Sequence, residues 1–313
     1  MLSLNVKMFM TSVWMMMKRI KFAQSAMPSG LSNRNLDNKM DKKSGMLLHL
    51  QNFIGRIAIL ILAPLYFLAF RIFFYRVKDL KEIRSRCAAE FAKHKGGWII
   101  CSNHLTMIDS FILSYAIFNL SQHIINFRQL PWNLPERNNY KDNMLLTILC
   151  YLSKCIPINR GGSREKMKDA LDKCSCLLET GETIMIFPEG KRSRTGRVDQ
   201  EGFSYGVGRF IKNVENCKVM CMYLRGDKQD HYSVIPRWGE KFSVQIEIFA
   251  PQPAAGSELR VQREYATQII NRLAQMEENY FALRRERCGG FDGTGECGKK
   301  QGFALSKKNP HGC

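Results

Sequence analysis

An uncharged run of 14 residues, Ile57–Phe70, most strongly constrains how this chain can fold. A helix that crosses the hydrocarbon core of a bilayer needs about 20 mostly apolar residues. Residues 72–75 extend the run past Arg71, whose long side chain can reach back to the membrane interface. The run therefore predicts a membrane-associated helical segment over residues 46–77.

Three arrangements of this segment are open. It can cross the bilayer once, or it can form a re-entrant or interfacial hairpin with residues 46–55. Pro64 lies in the middle of the run and would kink a helix there. The third arrangement, a buried core helix, rarely requires 14 consecutive uncharged residues.

Basic residues are concentrated after the apolar run. The C-terminal flank carries Arg71, Arg76, Lys78, Lys81, Arg84 and Arg86, and the N-terminal side carries Lys39, Lys42, Lys43 and Arg56. Basic residues next to a membrane segment favour the cytoplasmic side. We therefore expect a membrane protein whose remaining chain lies on the cytoplasmic face.

The amino-acid composition limits the classes of binding partner and of fold that this chain can have. The 313 residues include 47 Lys and Arg against 28 Asp and Glu, a net charge of +19, so an anionic partner is expected, either a membrane surface or a nucleic acid. A hydrophobic fraction of 45% supports a sizeable core and excludes a disordered chain. The 11 cysteines are odd in number and contain no CxxC pair, which argues against a zinc site and a disulfide framework and favours reduced thiols.

The sequence divides into four parts. Residues 1–45 are predicted to be a poorly ordered extension and residues 288–313 a disordered basic tail, on either side of the membrane segment and a folded unit over 78–287. In the extension, basic residues follow the apolar stretch instead of preceding it, which does not fit a signal peptide.

Apolar strand-like runs alternate with helical patterns in the folded unit, which predicts an α/β fold. The predicted strands are Trp98–Cys101, His123–Phe127, Cys155–Ile158, Thr183–Phe187, Lys218–Leu224 and Phe242–Phe249. The predicted helices are Ile108–Asn119, Asn143–Leu152, Arg164–Glu179 and Ser257–Arg287.

The first candidate motif, Asn103-His-Leu-Thr-Met-Ile-Asp109, follows a predicted strand directly. With His104 in a loop and Asp109 in the first turn of a helix, the carboxylate can fold back onto the imidazole. Asp109 would then fix the histidine tautomer, and the second ring nitrogen could take a proton from a hydroxyl group.

Two further motifs could bind a phosphorylated polyol. In Phe187-Pro-Glu-Gly-Lys-Arg-Ser-Arg194, Pro and Gly form a tight turn, Glu189 can point at a polyol, and the basic residues after it offer an anion site. In Ile156–Gly162, Arg160 and two glycines precede a predicted helix N-terminus, as in a phosphate cradle.

In this order the three motifs resemble the glycerolipid acyltransferase family, specifically the 1-acylglycerol-3-phosphate acyltransferases. The resemblance covers about residues 55–250. The NHxxxxD block matches at Asn103, His104 and Asp109, with Thr106 where Ser is common. The FPEGxRS block matches at Phe187, Pro188, Glu189, Gly190, Arg192 and Ser193, and Arg160 stands where the family carries an arginine. A fourth block, Val-Pro in a later strand, is not clearly present, because Cys221 occupies the expected proline position and Val234–Pro236 lies too far on.

The resemblance implies a mixed sheet flanked by helices, and it implies residue roles. His104 would be the general base on the free hydroxyl of a lysophospholipid, with Asp109 orienting it. Substrate-binding residues would be Asn103, Arg160, Glu189, Gly190 and Arg192, and the last four would hold the glycerol phosphate. The donor would be acyl-CoA or acyl-carrier protein, attacked directly without an acyl-enzyme. No metal or bound cofactor is implied, and residues 46–77 would seat the enzyme in an anionic membrane.

Alternatives remain in two other protein classes and within the enzyme class. Gly202-Phe-Ser204-Tyr-Gly206 fits the GxSxG pattern of serine hydrolases, although the segment before it is too polar for a buried strand. A nucleic-acid-binding protein would explain the charge, but the basic residues are scattered and no zinc-finger or RNP pattern occurs, so no nucleic-acid partner is expected. Another lysolipid, or glycerol 3-phosphate, could replace lysophosphatidic acid as acceptor.

Overall fold

The computed structural model describes residues 42–289, with side chains over residues 45–286. The predictions of a disordered extension before residue 46 and of a disordered tail after residue 287 fall almost entirely outside the described residues. The first described helix begins at Lys42 and the last ends at Gly289.

Six strands and eight α-helices make up the described part of the chain. The strands are β1 (Arg76–Val77), β2 (Gly97–Ser102), β3 (Trp132–Asn133), β4 (Thr183–Ile186), β5 (Cys217–Gly226) and β6 (Lys241–Phe249). The helices are α1 (Lys42–Ile72), α2 (Leu80–Lys93), α3 (Asp109–Ile117), α4 (Leu120–Ile125), α5 (Met144–Leu152), α6 (Arg164–Glu179), α7 (Gly206–Asn213) and α8 (Glu258–Gly289). Four predicted strands and all four predicted helices are confirmed to within a few residues.

The strands form one mixed sheet in the order β1-β6-β5-β2-β4-β3. β2 is parallel to both of its neighbours, with Ile100 opposite Met185 of β4 and Met220 of β5. β3 is parallel to β4, whereas β6 is antiparallel to β5. The α/β class with a mixed sheet flanked by helices is therefore confirmed.

Alternate residues of the central strands point to two separate hydrophobic cores. Ile99 and Cys101 belong to the core under α6, α7 and α8. Trp98 and Ile100 belong to the opposite core, under α1, α2 and α3. Because β2 is buried on both faces, all six of its residues are small or apolar, as is typical of a central parallel strand.

The parallel arrangement decides where functional residues gather. β2, β3 and β4 run in the same direction, so the loops that follow them leave the same edge of the sheet. In open α/β sheets, ligands bind at this carboxyl edge. The motif at residues 103–109 follows β2, and the motif at residues 187–194 follows β4.

The apolar segment forms one continuous helix, α1, which passes through Pro64. The hairpin with residues 46–55 is therefore wrong, because those residues belong to the same helix. Among the described residues one helix, Gly45–Ile72, is long and apolar enough to cross a membrane. One face of α1, which includes Ala63 and Phe70, is buried against the domain, and most of the helix surface is exposed.

The predicted strand His123–Phe127 is wrong. Asn119 caps the N-terminus of α4: its side chain accepts from the backbone of Gln122, and the Gln122 side chain accepts from the backbone N–H of Asn119. This capping box stabilises the start of a helix, and its stabilisation is larger than the β-propensity of the two isoleucines within that helix.

The predicted strand Cys155–Ile158 forms only isolated bridges, to Asn133 and Glu136. Pro157 lacks a backbone N–H, so the ladder cannot continue through it. The prediction also missed the short strands β1 and β3 and the helices α2 and α7, which have either few residues or no clear apolar periodicity.

Gly208 marks a close approach between α7 and α8. A Cβ atom at this position would overlap the carbonyl oxygen of Gln262 on α8, whereas a Cβ at Gly206 in the same helix would meet only ordinary contacts beginning at 3.6 Å. We expect Gly208→Ala to lower the free energy of unfolding by about 1–3 kcal/mol, the usual cost of overpacking. Thermal unfolding of this variant and of the control Gly206→Ala measures the difference; equal stability of the two would contradict the close approach.

Candidate active site

His104 and Asp109 lie together at the carboxyl end of β2. The His104 Nδ1 is 3.0 Å from the Asp109 Oδ2. Asp109 is the first residue of α3, and the four residues between it and His104 form a loop that lets its carboxylate turn back toward the imidazole. The structure thus brings together the two residues that the spacing suggested as a pair.

Asp109 is 1% exposed and accepts hydrogen bonds from the loop that carries His104. Its Oδ2 accepts the backbone N–H groups of Leu105, at 2.6 Å, and Thr106, at 2.8 Å. Its Oδ1 accepts the hydroxyl of Thr106. An ionised carboxylate only accepts hydrogen bonds, so the Nδ1 of His104 is the donor in their contact. The neutral imidazole then has its lone pair on Nε2.

The imidazole of His104 is held on a second side by Phe187. The two rings are stacked with centroids 4.2 Å apart and an interplanar angle of 20°. Within the described residues, no hydrogen-bond partner is found for the Nε2 of His104, and 20% of the side chain is exposed. The Nε2 atom of His104 is therefore fixed in orientation and accessible, and it is available to accept a proton.

Glu189 joins the turn after β4 to the histidine loop. Its Oε1 accepts the backbone N–H of His104 at 2.9 Å, and its Oε2 accepts that of Asp199 at 3.3 Å. Burial raises the pKa of the Glu189 carboxyl to about 7, aided by the negative charges of Glu277 and Asp199 and opposed by the two N–H donors. Both oxygens thus have protein partners.

Gly190 and Ser193 shape the same turn. Gly190 has a φ of +69°, in the left-handed region that favours glycine, and its N–H donates to the carbonyl of Phe187 at 2.9 Å. The N–H of Ser193 donates to the carbonyl of His104 at 2.9 Å. His104 is therefore held by its backbone N–H, its carbonyl and its ring.

Asn103 locks the histidine loop to the neighbouring strand. Its side-chain amide donates to the carbonyl of Leu224 in β5 at 2.9 Å and accepts the N–H of the same residue at 2.8 Å. The residue is 3% exposed. These contacts continue the pairing of β2 and β5 one residue beyond the end of β2.

The two predicted phosphate-binding arginines lie at different places on the carboxyl edge. Arg192 follows the turn after β4; its guanidinium donates to the carbonyl of Ser233 at 3.4 Å and lies 5.7 Å from the ring of Tyr232. Arg160 is exposed beyond β3 and has an ion pair with Glu136 at 3.7 Å. Among the described residues, Arg160 contacts none of the other predicted site residues.

Glu277 of α8 binds residues of the loop that follows β4 and of β5, and no sequence motif indicated this residue. Its carboxylate accepts the N–H of Val198 at 3.1 Å and the hydroxyl of Tyr223 at 3.1 Å, and it pairs with Arg197 at 3.2 Å. Burial raises the pKa of the Glu277 carboxyl. Because it lies about 80 residues along the chain from the loop that it holds, only the folded structure reveals it.

The surroundings of Ser204 do not match a nucleophile elbow. Ser204 is exposed at the end of the long loop between β4 and α7, and its hydroxyl accepts the N–H of Gly206 at 3.4 Å. Within the described residues neither a histidine nor a carboxylate contacts its hydroxyl. The geometry of this motif therefore gives no support to a serine hydrolase.

Cysteines and acidic side chains build no metal centre in the part of the chain that the structure describes. No group of three or more His, Cys, Asp or Glu residues there could hold a metal ion. No disulfide joins any of the eight cysteines that lie between residues 87 and 221. Cys221 lies in the centre of β5, where burial raises the pKa of its thiol to about 12.

Comparison with known proteins gives one finding. The family model described as Acyltransferase matches residues 77–225, from β1 to the end of β5. A search of curated proteins finds no match. The matched stretch contains both His104 and Asp109 and the turn at Glu189, and it indicates an enzyme of the acyltransferase class.

The buried Glu189 predicts a pH dependence of stability. Its pKa is raised in the folded protein, so the stability it contributes is present below its usual pKa near 4.5 and is lost as the pH rises through about 7. Between about pH 5 and pH 8, wild type should lose about 3 kcal/mol of unfolding free energy relative to Glu189→Gln. Denaturant unfolding at several pH values measures this loss, with the exposed Glu201→Gln as the control that should follow wild type. Parallel curves for wild type and Glu189→Gln would contradict the raised pKa.

Proposed function

We propose that this protein transfers an acyl chain from a thioester to the free hydroxyl of a lysophospholipid. The observation that carries the proposal is the His104–Asp109 pair, in which Nδ1 is hydrogen-bonded to a buried carboxylate and Nε2 has no hydrogen-bond partner among the described residues. The acyltransferase match over residues 77–225 supports the reaction class.

In the proposed reaction, the Nε2 of His104 accepts the proton of the acceptor hydroxyl as its oxygen attacks the thioester carbonyl. A C–O bond forms, and the C–S bond breaks as the tetrahedral intermediate collapses. The leaving thiolate takes the proton back from the imidazolium. Asp109 stabilises the imidazolium in between, and no enzyme nucleophile is required.

The contacts divide the remaining predicted site residues into two groups. Arg192 and Arg160 have exposed or partly exposed guanidinium groups at the carboxyl edge, and they are our candidates for binding the acceptor phosphate. Asn103, Glu189 and Gly190 are engaged with the protein backbone. We propose that these three residues affect substrate binding indirectly, because they fix the conformations of the histidine loop and of the turn after β4.

The proposed acceptor is 1-acylglycerol 3-phosphate, which would give phosphatidic acid, and the donor is acyl-CoA or acyl-carrier protein. The net charge of +19 suits anionic lipids and anionic acyl carriers. The apolar helix α1 supports an association with the membrane that holds acceptor and product. The basic residues after α1 support a catalytic domain on the cytoplasmic face.

Replacement of His104 tests the reaction and its base together. Membranes that contain wild type or His104→Ala are incubated with lysophosphatidic acid and acyl-CoA, and phosphatidic acid is followed by mass spectrometry. We expect His104→Ala to lose about 10²–10⁴ in rate, the usual contribution of a general base. The exposed His231→Ala should retain activity. Equal product from wild type and His104→Ala would exclude the proposed base.

An absence of product from wild type would lead to a panel of acceptors. Other lysolipids and glycerol 3-phosphate would be tested with acyl-CoA, and acyl-carrier protein would serve as the second donor. Activity with one of these acceptors would change the proposed acceptor and leave the acyltransferase reaction class in place. No transfer to any of them would exclude the proposed function.

Asp109→Asn tests the orienting role of the carboxylate. The amide has a similar shape but can donate to Nδ1, which would place the proton on Nε2 and block proton abstraction. We expect a loss of at least about 10² in rate with the fold retained. Ser204→Ala in the same assay should keep wild-type activity; its inactivity would favour the hydrolase alternative.

A further inference from the structure

The loop that connects β5 to β6 exposes apolar side chains close to the candidate active site. Val234, Ile235 and Trp238 are each more than half exposed, with Trp238 at 59%. Arg237 lies among them and is also exposed. Tryptophan and arginine with aliphatic residues are the composition that favours the interface between lipid and water.

This loop is fixed to the C-terminal end of α1. The ring of Trp238 lies 5.2 Å from that of Phe73 and 5.9 Å from that of Phe74. The N–H of Gly239 donates to the carbonyl of Phe73 at 2.9 Å, and the hydroxyl of Tyr75 donates to the carbonyl of Pro236 at 3.0 Å. The exposed apolar surface of the loop therefore continues that of α1.

The other end of the loop is fixed to the histidine loop. The N–H of Ser233 donates to the carbonyl of Leu105 at 3.1 Å, and the N–H of Met107 donates to the carbonyl of Val234 at 3.1 Å. Met107 is itself partly exposed, at 44%. Whatever binds the exposed side of residues 232–239 is thus coupled to the position of His104.

The packing of α1 indicates how a membrane would meet this surface. The Gln51 side chain donates to the carbonyls of Tyr151 and Cys155, and near the other end Phe70 stacks on Tyr115 with ring centroids 4.5 Å apart. These contacts cover about 28 Å of helix at 1.5 Å per residue. A bilayer crossed by α1 along its axis would enclose the irregular backbone packed beside it, which lipid does not tolerate.

A helix that lies along the surface of one leaflet avoids this cost. The face of α1 that points away from the domain exposes large apolar side chains, among them Phe53, Ile57, Leu60, Ile61, Leu65, Leu68 and Ile72. The basic residues Arg71, Arg76 and Arg237 are exposed at the end where the loop joins α1. Their charge complements anionic lipid headgroups.

We propose that residues 232–239 are a second membrane contact. Val234, Ile235 and Trp238 enter the interfacial region of the leaflet that holds the exposed face of α1, and Arg237 meets lipid phosphates. The contact holds the histidine loop at the leaflet surface. Only this last consequence rests on the proposed function, because lipid contact can be measured without turnover.

Tryptophan fluorescence tests the contact in the full chain. In a Trp14→Phe background, Trp98 and Trp132 are buried, so the difference between this protein and its Trp238→Phe variant reports Trp238. The protein is added to phosphatidylcholine and phosphatidylglycerol vesicles whose acyl chains carry bromine, a contact quencher. We expect the Trp238 emission to shift to shorter wavelength and to be quenched.

A matched control uses the opposite face of the sheet. Leu259 on α8 is 75% exposed, and α8 packs on the core that lies across the sheet from the one that contains Phe70, at the end of α1 next to the loop. In the Trp238→Phe variant, Leu259→Trp provides a reporter there, and we expect no quenching. Equal quenching at both positions would overturn the proposal, because contact would then be nonspecific.

Three other results would also overturn it. The first is a protein that does not float with the vesicles in a density gradient. The second is a Trp238 emission that bromine leaves unchanged in protein that does float. The third is a shift that depends on protein concentration instead of lipid, which would assign the surface to a second copy of the chain.

Activity separates this proposal from the proposed function. The double variant Val234→Ser/Trp238→Ser should lose several-fold in rate on acceptor in vesicles and keep the wild-type rate on a short-chain, water-soluble acceptor. A loss of equal size on both acceptors would overturn the coupling to the membrane. A wild type that acylates no acceptor would contradict the proposed function, while bromine quenching would still decide the lipid contact.

Discussion

The geometry of the site depends on two buried carboxylates that bind three consecutive backbone N–H groups. Glu189 accepts from His104, and Asp109 accepts from Leu105 and Thr106. These N–H groups belong to a loop and have no partner in a helix or strand, so unpaired burial would cost about 1–3 kcal/mol each. The two carboxyl groups satisfy them and hold the imidazole against Asp109 at the same time.

This arrangement is possible because the sheet brings distant segments to one edge. His104 and Glu189 are 85 residues apart, yet both follow adjacent parallel strands in register. Asn103 ties the same loop to β5 on the other side. The histidine loop is therefore supported by both neighbours of β2, and Glu277 of α8 binds the long loop between β4 and α7 at Val198.

The apolar surface has a different origin. α1 buries one face on the domain and leaves the other exposed, and the loop between β5 and β6 extends this exposed surface toward the site. Large exposed apolar patches that are rimmed by charged residues usually mark an interaction surface. In this protein the apolar surface and the histidine loop are joined by two backbone hydrogen bonds, so an environment that binds one also positions the other.

Sequence patterns predicted the long elements and failed on short ones. β2, β5, β6, α6 and α8 have clear apolar patterns, and their predicted ranges agree with the structure. The run at His123–Phe127 was wrong because a local capping box decided its conformation. The two-residue strands β1 and β3 carry too few side chains for a periodicity and exist only because a neighbouring strand supplies hydrogen bonds.

The sequence by itself determined the α/β class, the position of the apolar helix and the His104–Asp109 pair, because these depend on local periodicity and on residues close together along the chain. Only the tertiary structure decided what each side chain does within the site. Both oxygens of Glu189 accept backbone N–H groups, and Asn103 links the end of β2 to β5. Glu277 binds Val198, and the loop at Trp238 packs against the end of α1. These outcomes depend on contacts between segments that are far apart in the chain, and spacing in a single sequence carries no information about such contacts.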